Sequence, residues 1–264
     1  MDTPLSPPLA EPARATPTGY FALTRTATYS FLAALPLFVL YEVLILLVNN
    51  GSLSQIRVGA DVWIKRVLAS MGAGGMLALG LVVIAIGVAI FMLERKKQIP
   101  IKPKYFGWMI GESLVYGVVL AFIISSVVGW LFFMAPMVTS PLFFASQALD
   151  QVGLPTKLAL SIGAGLYEEL VFRVILVGGM FWGLKRVMKG RSTTAAYVIA
   201  AVVGALIFSW VHYTGSLGDP FTLSSFSFRF LFGLALNALY LLRGFGVAAW
   251  THALYDVLVV TNLL

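Results

Sequence analysis

The stretch LALSIGAGLYEELVFRVILVGGMFWGL, residues 158–184, has the length and apolar character of a membrane-spanning helix, yet Glu168, Glu169 and Arg173 sit near its middle. About 20 apolar residues cross ~30 Å of hydrocarbon, so the segment is long enough to span. A charge at a helix centre costs roughly 2.5–3.5 kcal/mol on insertion scales, and ionisable groups kept at that depth point to function. The chain has two histidines, His212 and His252, and both also fall inside apolar runs.

The composition extends this reading to the whole chain. It is 59% hydrophobic and 11% charged, with a mean hydropathy of +0.92. A soluble domain of 264 residues cannot hide that much apolar surface, so lipid is the solvent. The net charge of +7 comes from Lys and Arg gathered in short loops, which argues for membrane orientation rather than nucleic-acid binding. With no cysteine, disulfides, thiolate metal sites and cysteine nucleophiles are excluded. The first apolar run starts near Thr26 and ends in Val48-Asn49-Asn50 without a small-residue cleavage site, so it reads as a retained anchor. Residues 1–25, with Pro4, Pro7, Pro8, Pro12 and Pro17, read as a disordered cytoplasmic tail.

The expected fold is an all-α polytopic membrane protein with about seven transmembrane helices, or eight. The spans are Thr26–Val48, Met71–Leu93, Trp108–Ala135, Leu158–Leu184, Ala195–Tyr213, Phe226–Leu242 and Phe245–Leu263. Leu53–Ala69 is a candidate amphipathic helix at the interface. Residues 26–157 form an N-terminal group of helices and 158–264 the core that carries the chemistry. Arg95, Lys96, Lys97, Lys102 and Lys104, and Lys185, Arg186, Lys189 and Arg191, fall in loops on one side, whereas 136–156 and 214–225 contain no Lys or Arg. This places the N-terminus in the cytoplasm, with Arg57, Lys65 and Arg66 counting against it. The small-residue pairs Ala159/Gly163 and Gly179/Gly183 are candidate points of close helix approach.

On an α-helix Glu169 and Arg173 share a face, and Glu168 is turned about 100° away. One carboxylate is then tied to the guanidinium and the other is available. His252 and Asp256 are also four apart, and Asp256 is placed to accept from one ring nitrogen and fix the tautomer. Asn237, inside the sixth span, reads as interhelical glue, and Glu42 and Glu112 as structural. Each pair taken alone has a structural reading. It is their conjunction on three spans that argues for a site. Glu168 lies about 16 Å along the helix from Lys157, near mid-membrane, whereas His212 falls at the outer end of its span and His252 near the cytoplasmic start of its own.

The motifs EExxxR (Glu168, Glu169, Arg173), FxxxH (Phe208, His212) and HxxxD/N (His252, Asp256), in this order, resemble the CPBP family of intramembrane proteases. That family includes the type II CAAX prenyl endopeptidases and the bacterial abortive-infection proteins. The resemblance runs from about Leu158 to the C-terminus; the earlier spans match only in being hydrophobic. It implies hydrolysis of a peptide bond within the bilayer, in a membrane-anchored or lipidated polypeptide such as a CAAX-like tail or a C-terminal anchor. Glu168 would activate a water with help from His212, and His252 and Asp256 would hold or polarise the substrate carbonyl. Prenyl-processing members favour Asn where this chain has Asp256. An ionised carboxylate cannot donate to an oxyanion, so either His252 donates with Asp256 orienting it, or Asp256 is protonated.

Metal-free catalysis is the favoured reading. The alternative is zinc held by Glu168, His212 and His252, with Glu169 then serving as base; no HExxH helix is present. The implied partners are the bilayer and a membrane-anchored protein or peptide substrate, not nucleic acid, and nothing in the sequence fixes an oligomeric state. The implied location is a bacterial inner membrane. The competing functions are a non-catalytic membrane adaptor that uses the cluster as glue, and a proton-coupled transporter.

Overall fold

The computed structural model describes residues 18–50, 56–72, 75–133, 152–189, 192–215 and 218–264, and among these every regular element is helical. A short helix α1 (Tyr20–Thr24) precedes α2 (Ala27–Val48), α3 (Gly59–Ser70), α4 (Gly75–Glu94) and α5 (Pro103–Phe133). A composite rod follows: α6 (Leu154–Gly163), π-helical stretches at Ala164–Glu168 and Leu170–Val177, and α7 (Gly178–Val187). The chain ends with α8 (Thr193–Val211), α9 (Leu223–Arg243) and α10 (Phe245–Val260).

Local sequence sets several of these boundaries. The side chains of Thr26, Ser192 and Thr222 accept from the backbone N–H three residues on and cap α2, α8 and α9. Pro155 lies in the first turn of α6, where a missing N–H costs nothing. Gly244 alone separates α9 from α10. It takes φ +86°, which favours glycine, and a Cβ there would lie 2.9 Å from the Ser30 hydroxyl.

Ala27–Val48, Ala78–Lys97, Pro103–Phe132, Thr193–Val211 and Leu223–Arg243 are each long and apolar enough to cross a membrane. The composite rod and the 16-residue α10 complete the bundle. The protein is an integral membrane protein, and the spans read from the sequence coincide with these helices, although α5 begins at Pro103 rather than near Trp108. Two expectations are corrected. Tyr20–Thr24, assigned to a disordered tail, is helical and packs on α2 and α5, whereas residues 1–17 lie outside the described residues. Gly179 and Gly183 face open space, and the close approach is made by Gly163 against Tyr41 and Val58 and by Gly165 against α10.

The short α10 is the centre of the bundle. It packs on α2, α5, α6, the first π stretch and α9. Gly246, Ala248, Ala249 and Ala253 keep its surface small enough for that many neighbours. The helix is surrounded by protein for most of its length, so it can carry His252 without exposing it to lipid.

Glu42, unexplained by sequence alone, belongs to a buried network. Tyr167 Oη donates to it at 3.0 Å and Lys65 Nζ at 3.1 Å, while Arg57 Nη1 lies 2.7 Å from Asp61 Oδ2. Arg57 and Lys65 are therefore matched by Glu42 and Asp61. These cations do not compete with the basic loops in setting orientation. Glu112 pairs with Arg243 through two bonds of 2.5 and 2.7 Å and accepts from Tyr20, which ties α1, α5 and the α9–α10 turn together.

Candidate active site

The π-helical stretches coincide with the EExxxR segment. At its end Gly178 N–H donates to Arg173 O, five residues back. Such widened turns recur at functional sites because they re-aim side chains without breaking the rod. Gly165 makes the placement possible. A Cβ there would sit 2.5 Å from Ala253 N and 2.6 Å from Ala249 O, so the π stretch and α10 meet backbone to backbone one residue from His252.

The two adjacent carboxylates divide as their spacing indicates. Glu169 is fully buried; its Oε2 lies 3.1 Å from Arg173 Nε, and its Oε1 accepts from His252 Nδ1 at 2.7 Å. Glu168 points the other way. Its Oε2 makes no hydrogen bond to a described residue and lies 3.9 Å from His212 Nε2. The other nitrogen of that ring, Nδ1, donates to the Phe208 carbonyl at 2.7 Å. A carbonyl only accepts, so in the neutral ring Nε2 carries the lone pair, facing Glu168.

Phe208 is the spacer that sets these distances. Its ring meets those of Phe172, His212 and His252 edge-on at 5.2, 5.0 and 6.0 Å, and the Arg173 guanidinium lies 4.4 Å from its centroid. The two histidines thus flank one aromatic ring. His212 stays at the end of α8, as the sequence indicates, while His252 falls at the middle of the 16-residue α10.

The expected His252–Asp256 hydrogen bond is corrected. His252 Nε2 lies 3.6 Å from Asp256 Oδ2, beyond hydrogen-bond range, and Glu169 fixes the ring instead. Asn237 stands apart from the cluster. Its side-chain amide N–H donates to Ala201 O at 3.0 Å and its backbone carbonyl accepts from Tyr197 Oη at 2.8 Å, joining α8 to α9 as interhelical glue.

Exposure separates the groups into two sets. The side chains of His212, Glu168 and Asp256 are 24%, 18% and 27% exposed, whereas those of Glu169, Arg173 and His252 are 0%, 1% and 5% exposed. A more exposed acid–imidazole face is backed by an ion-pair layer that is sealed at Glu169 and Arg173 and keeps a small opening at His252. Among the described residues no three His, Asp or Glu side chains are gathered so as to hold a metal ion. In the zinc alternative Glu168, His212 and His252 would be the ligands; Glu169 on His252 Nδ1 would orient that ring and leave Nε2, 3.6 Å from Asp256 Oδ2, for the metal.

One contributor was missed in the sequence. Arg229 on α9 binds Asp219 Oδ2 at 2.6 Å and donates to Tyr213 Oη at 2.6 Å, and Asp219 N–H donates to His212 O at 2.9 Å. This bridge holds the turn after α8, and with it His212, against α9. The signal was present as a cation inside an apolar run, but its partners come from a loop whose path the sequence does not give.

Residues 151–258 match the family model described as type II CAAX prenyl endopeptidase Rce1-like. No curated protein and no solved structure matches the chain. The matched region contains all three motifs and every residue of the cluster, so the similarity to that endopeptidase family falls on the part of the bundle that carries the site.

Proposed function

We propose that the protein is an intramembrane endopeptidase of the glutamate type, cleaving a membrane-anchored or lipidated polypeptide, with a CAAX-like tail or a C-terminal anchor as the substrate class. The observation that carries this is the facing pair Glu168 and His212. A buried carboxylate oxygen without a hydrogen-bond partner points at an imidazole lone pair 3.9 Å away, and the two side chains that carry them keep 18% and 24% of their surface exposed. A water about 2.8 Å from each bridges that separation. Glu168 takes one proton from it, His212 Nε2 accepts its second hydrogen, and its oxygen attacks the scissile carbonyl carbon.

The carbonyl oxygen gains negative charge and is met by His252. With Nδ1 donating to Glu169, Nε2 donates only if the ring is an imidazolium, and Glu169 and Asp256 supply the counter-charge on either side. The proton on Glu168 passes to the leaving amine nitrogen as the C–N bond breaks, giving an amine and a carboxylic acid, whose proton, the second hydrogen of the water, leaves by way of His212 Nε2 to give the carboxylate. No step is routed through a metal. The bilayer restricts water to the site, so the hydrolytic water enters from the polar turn after α8. We place the protein in a bacterial inner membrane with its N-terminus in the cytoplasm, a reading supported by the basic loops and by the neutralised Arg57 and Lys65.

The test is cleavage of a fluorogenic, lipid-anchored peptide by the purified protein in proteoliposomes. Glu168→Ala and His212→Ala are expected to lose activity by about 100-fold or more, the usual contribution of general base catalysis, while eluting as the wild type does. Turnover retained in Glu168→Ala would mean that another group activates the water.

A further inference from the structure

On the other side of the π stretch from Glu168, a cavity of about 400 Å³ opens between α2 and α4. That size lies within the roughly 300–1,000 Å³ typical of small-molecule sites. Its walls are hydrocarbon: Phe31 and Phe38 from α2, Val83 and Ile90 from α4, Leu170 and Val174 from the π stretch. Arg25 is the one charged lining residue, at the end formed by Gly244 and Phe245 of the α9–α10 turn. It is exposed and makes a long bond of 3.4 Å to Leu241 O.

The helices that frame the opening are joined at the Arg25 end, where Thr28 N and Oγ1 donate to Glu94 Oε2 at 2.8 and 2.7 Å. Further along, a Cβ on Gly87 would lie 2.8 Å from the ring of Phe31, so the two helices also touch there. Otherwise α4 stands at the edge of the bundle with only 11% of its apolar window buried, and the cavity behind it communicates with lipid. An apolar cavity does not hold water, and an empty one forfeits the dispersion contacts of its lining. In a bilayer, hydrocarbon is the natural filling.

Charge identifies the kind of hydrocarbon. Arg95 and Lys96 follow Glu94 directly, and Lys102 N–H donates to Tyr29 Oη in the first turn of α2, so the basic loop lies at the same end as Arg25. Basic clusters between transmembrane helices at the cytoplasmic leaflet attract anionic headgroups. We infer that the α2–α4 groove binds one anionic bilayer phospholipid, with an acyl chain in the cavity and its phosphate on Arg25. This site is separate from the proposed peptidase chemistry and does not depend on it.

The test titrates the full-length protein in detergent with phosphatidylglycerol, phosphatidylcholine or inorganic phosphate, and counts bound molecules by native mass spectrometry. One phosphatidylglycerol per chain is expected, bound about fivefold more tightly than phosphatidylcholine, the effect of one basic residue near the surface. Arg25→Gln should remove that preference. Val83→Trp, which fills the cavity from α4, should weaken both lipids, and Ile86→Trp serves the same purpose if Val83→Trp elutes as aggregate. Equal binding of the two lipids by the wild type would overturn the inference. So would undiminished binding in both filled variants, or displacement of phosphatidylglycerol by inorganic phosphate at equal concentration.

Discussion

Replacing Arg173 with Met removes the cation between Glu169 and the Phe208 ring, and leaves a fully buried carboxylate with only His252 beside it. Breaking a buried pair from one side costs about 3–5 kcal/mol, because the remaining charge is uncompensated. Arg173→Met is therefore expected to lower the unfolding free energy in detergent by about that amount; a change within ±0.5 kcal/mol would contradict the pairing. Glu168→Gln should behave in the opposite way. Its Oε2 has no hydrogen bond to lose, so removing the charge is expected to leave the melting midpoint unchanged or raised while activity falls by about 100-fold or more. A residue that contributes little to stability and much to rate is what separates a site from structural glue. The adaptor reading predicts no such split.

At the level of elements, the account depends on how closely the π stretch and α10 approach. Gly165→Ala places a methyl where Ala253 N and Ala249 O stand, and overpacking of this kind costs about 1–3 kcal/mol. Thermal unfolding should shift down, and peptide cleavage should fall as His252 moves away from Glu169. Gly179→Ala is the matched control. It meets open space and is expected to be neutral or stabilising by up to ~1 kcal/mol through helix propensity. Equal effects of the two substitutions would contradict the packing. The spans were legible because run length and charge placement act locally, and Glu168, Glu169, Arg173, His212 and His252 stood out because charges inside apolar runs are costly. Three features were not legible. The Glu169–His252 bond joins residues 83 apart in sequence. The π widening arises from packing rather than from any residue type, and the Arg229–Asp219 bridge depends on the path of a loop. The choice of Asp256 over Glu169 as the orienting group failed for the same reason: an i, i+4 spacing puts two groups on one face, but a second helix can bring a better-placed acceptor.

For the whole molecule, orientation follows from the sum of its charges. Once Arg57 and Lys65 are paired with Glu42 and Asp61, Arg66 still stands against the scheme, outnumbered by the cations of the 95–104 and 185–191 loops. The chain has no native cysteine, which makes a labelling test clean. Lys96→Cys is expected to react with an impermeant maleimide only in inside-out vesicles, and Thr214→Cys only in right-side-out ones. The reverse pattern would invert the topology and place the turn after α8 on the cytoplasmic side.

The central claim is that Glu168 and His212 act on one water as a unit, and a double-mutant cycle on kcat/KM for a lipid-anchored peptide tests it most directly. If the pair acts jointly, Glu168→Gln, His212→Ala and the double variant should fall to nearly the same floor, with the second substitution costing little once the first is made. Additive losses, in which the double variant drops by the product of the two single effects, would contradict the shared water and with it the mechanism.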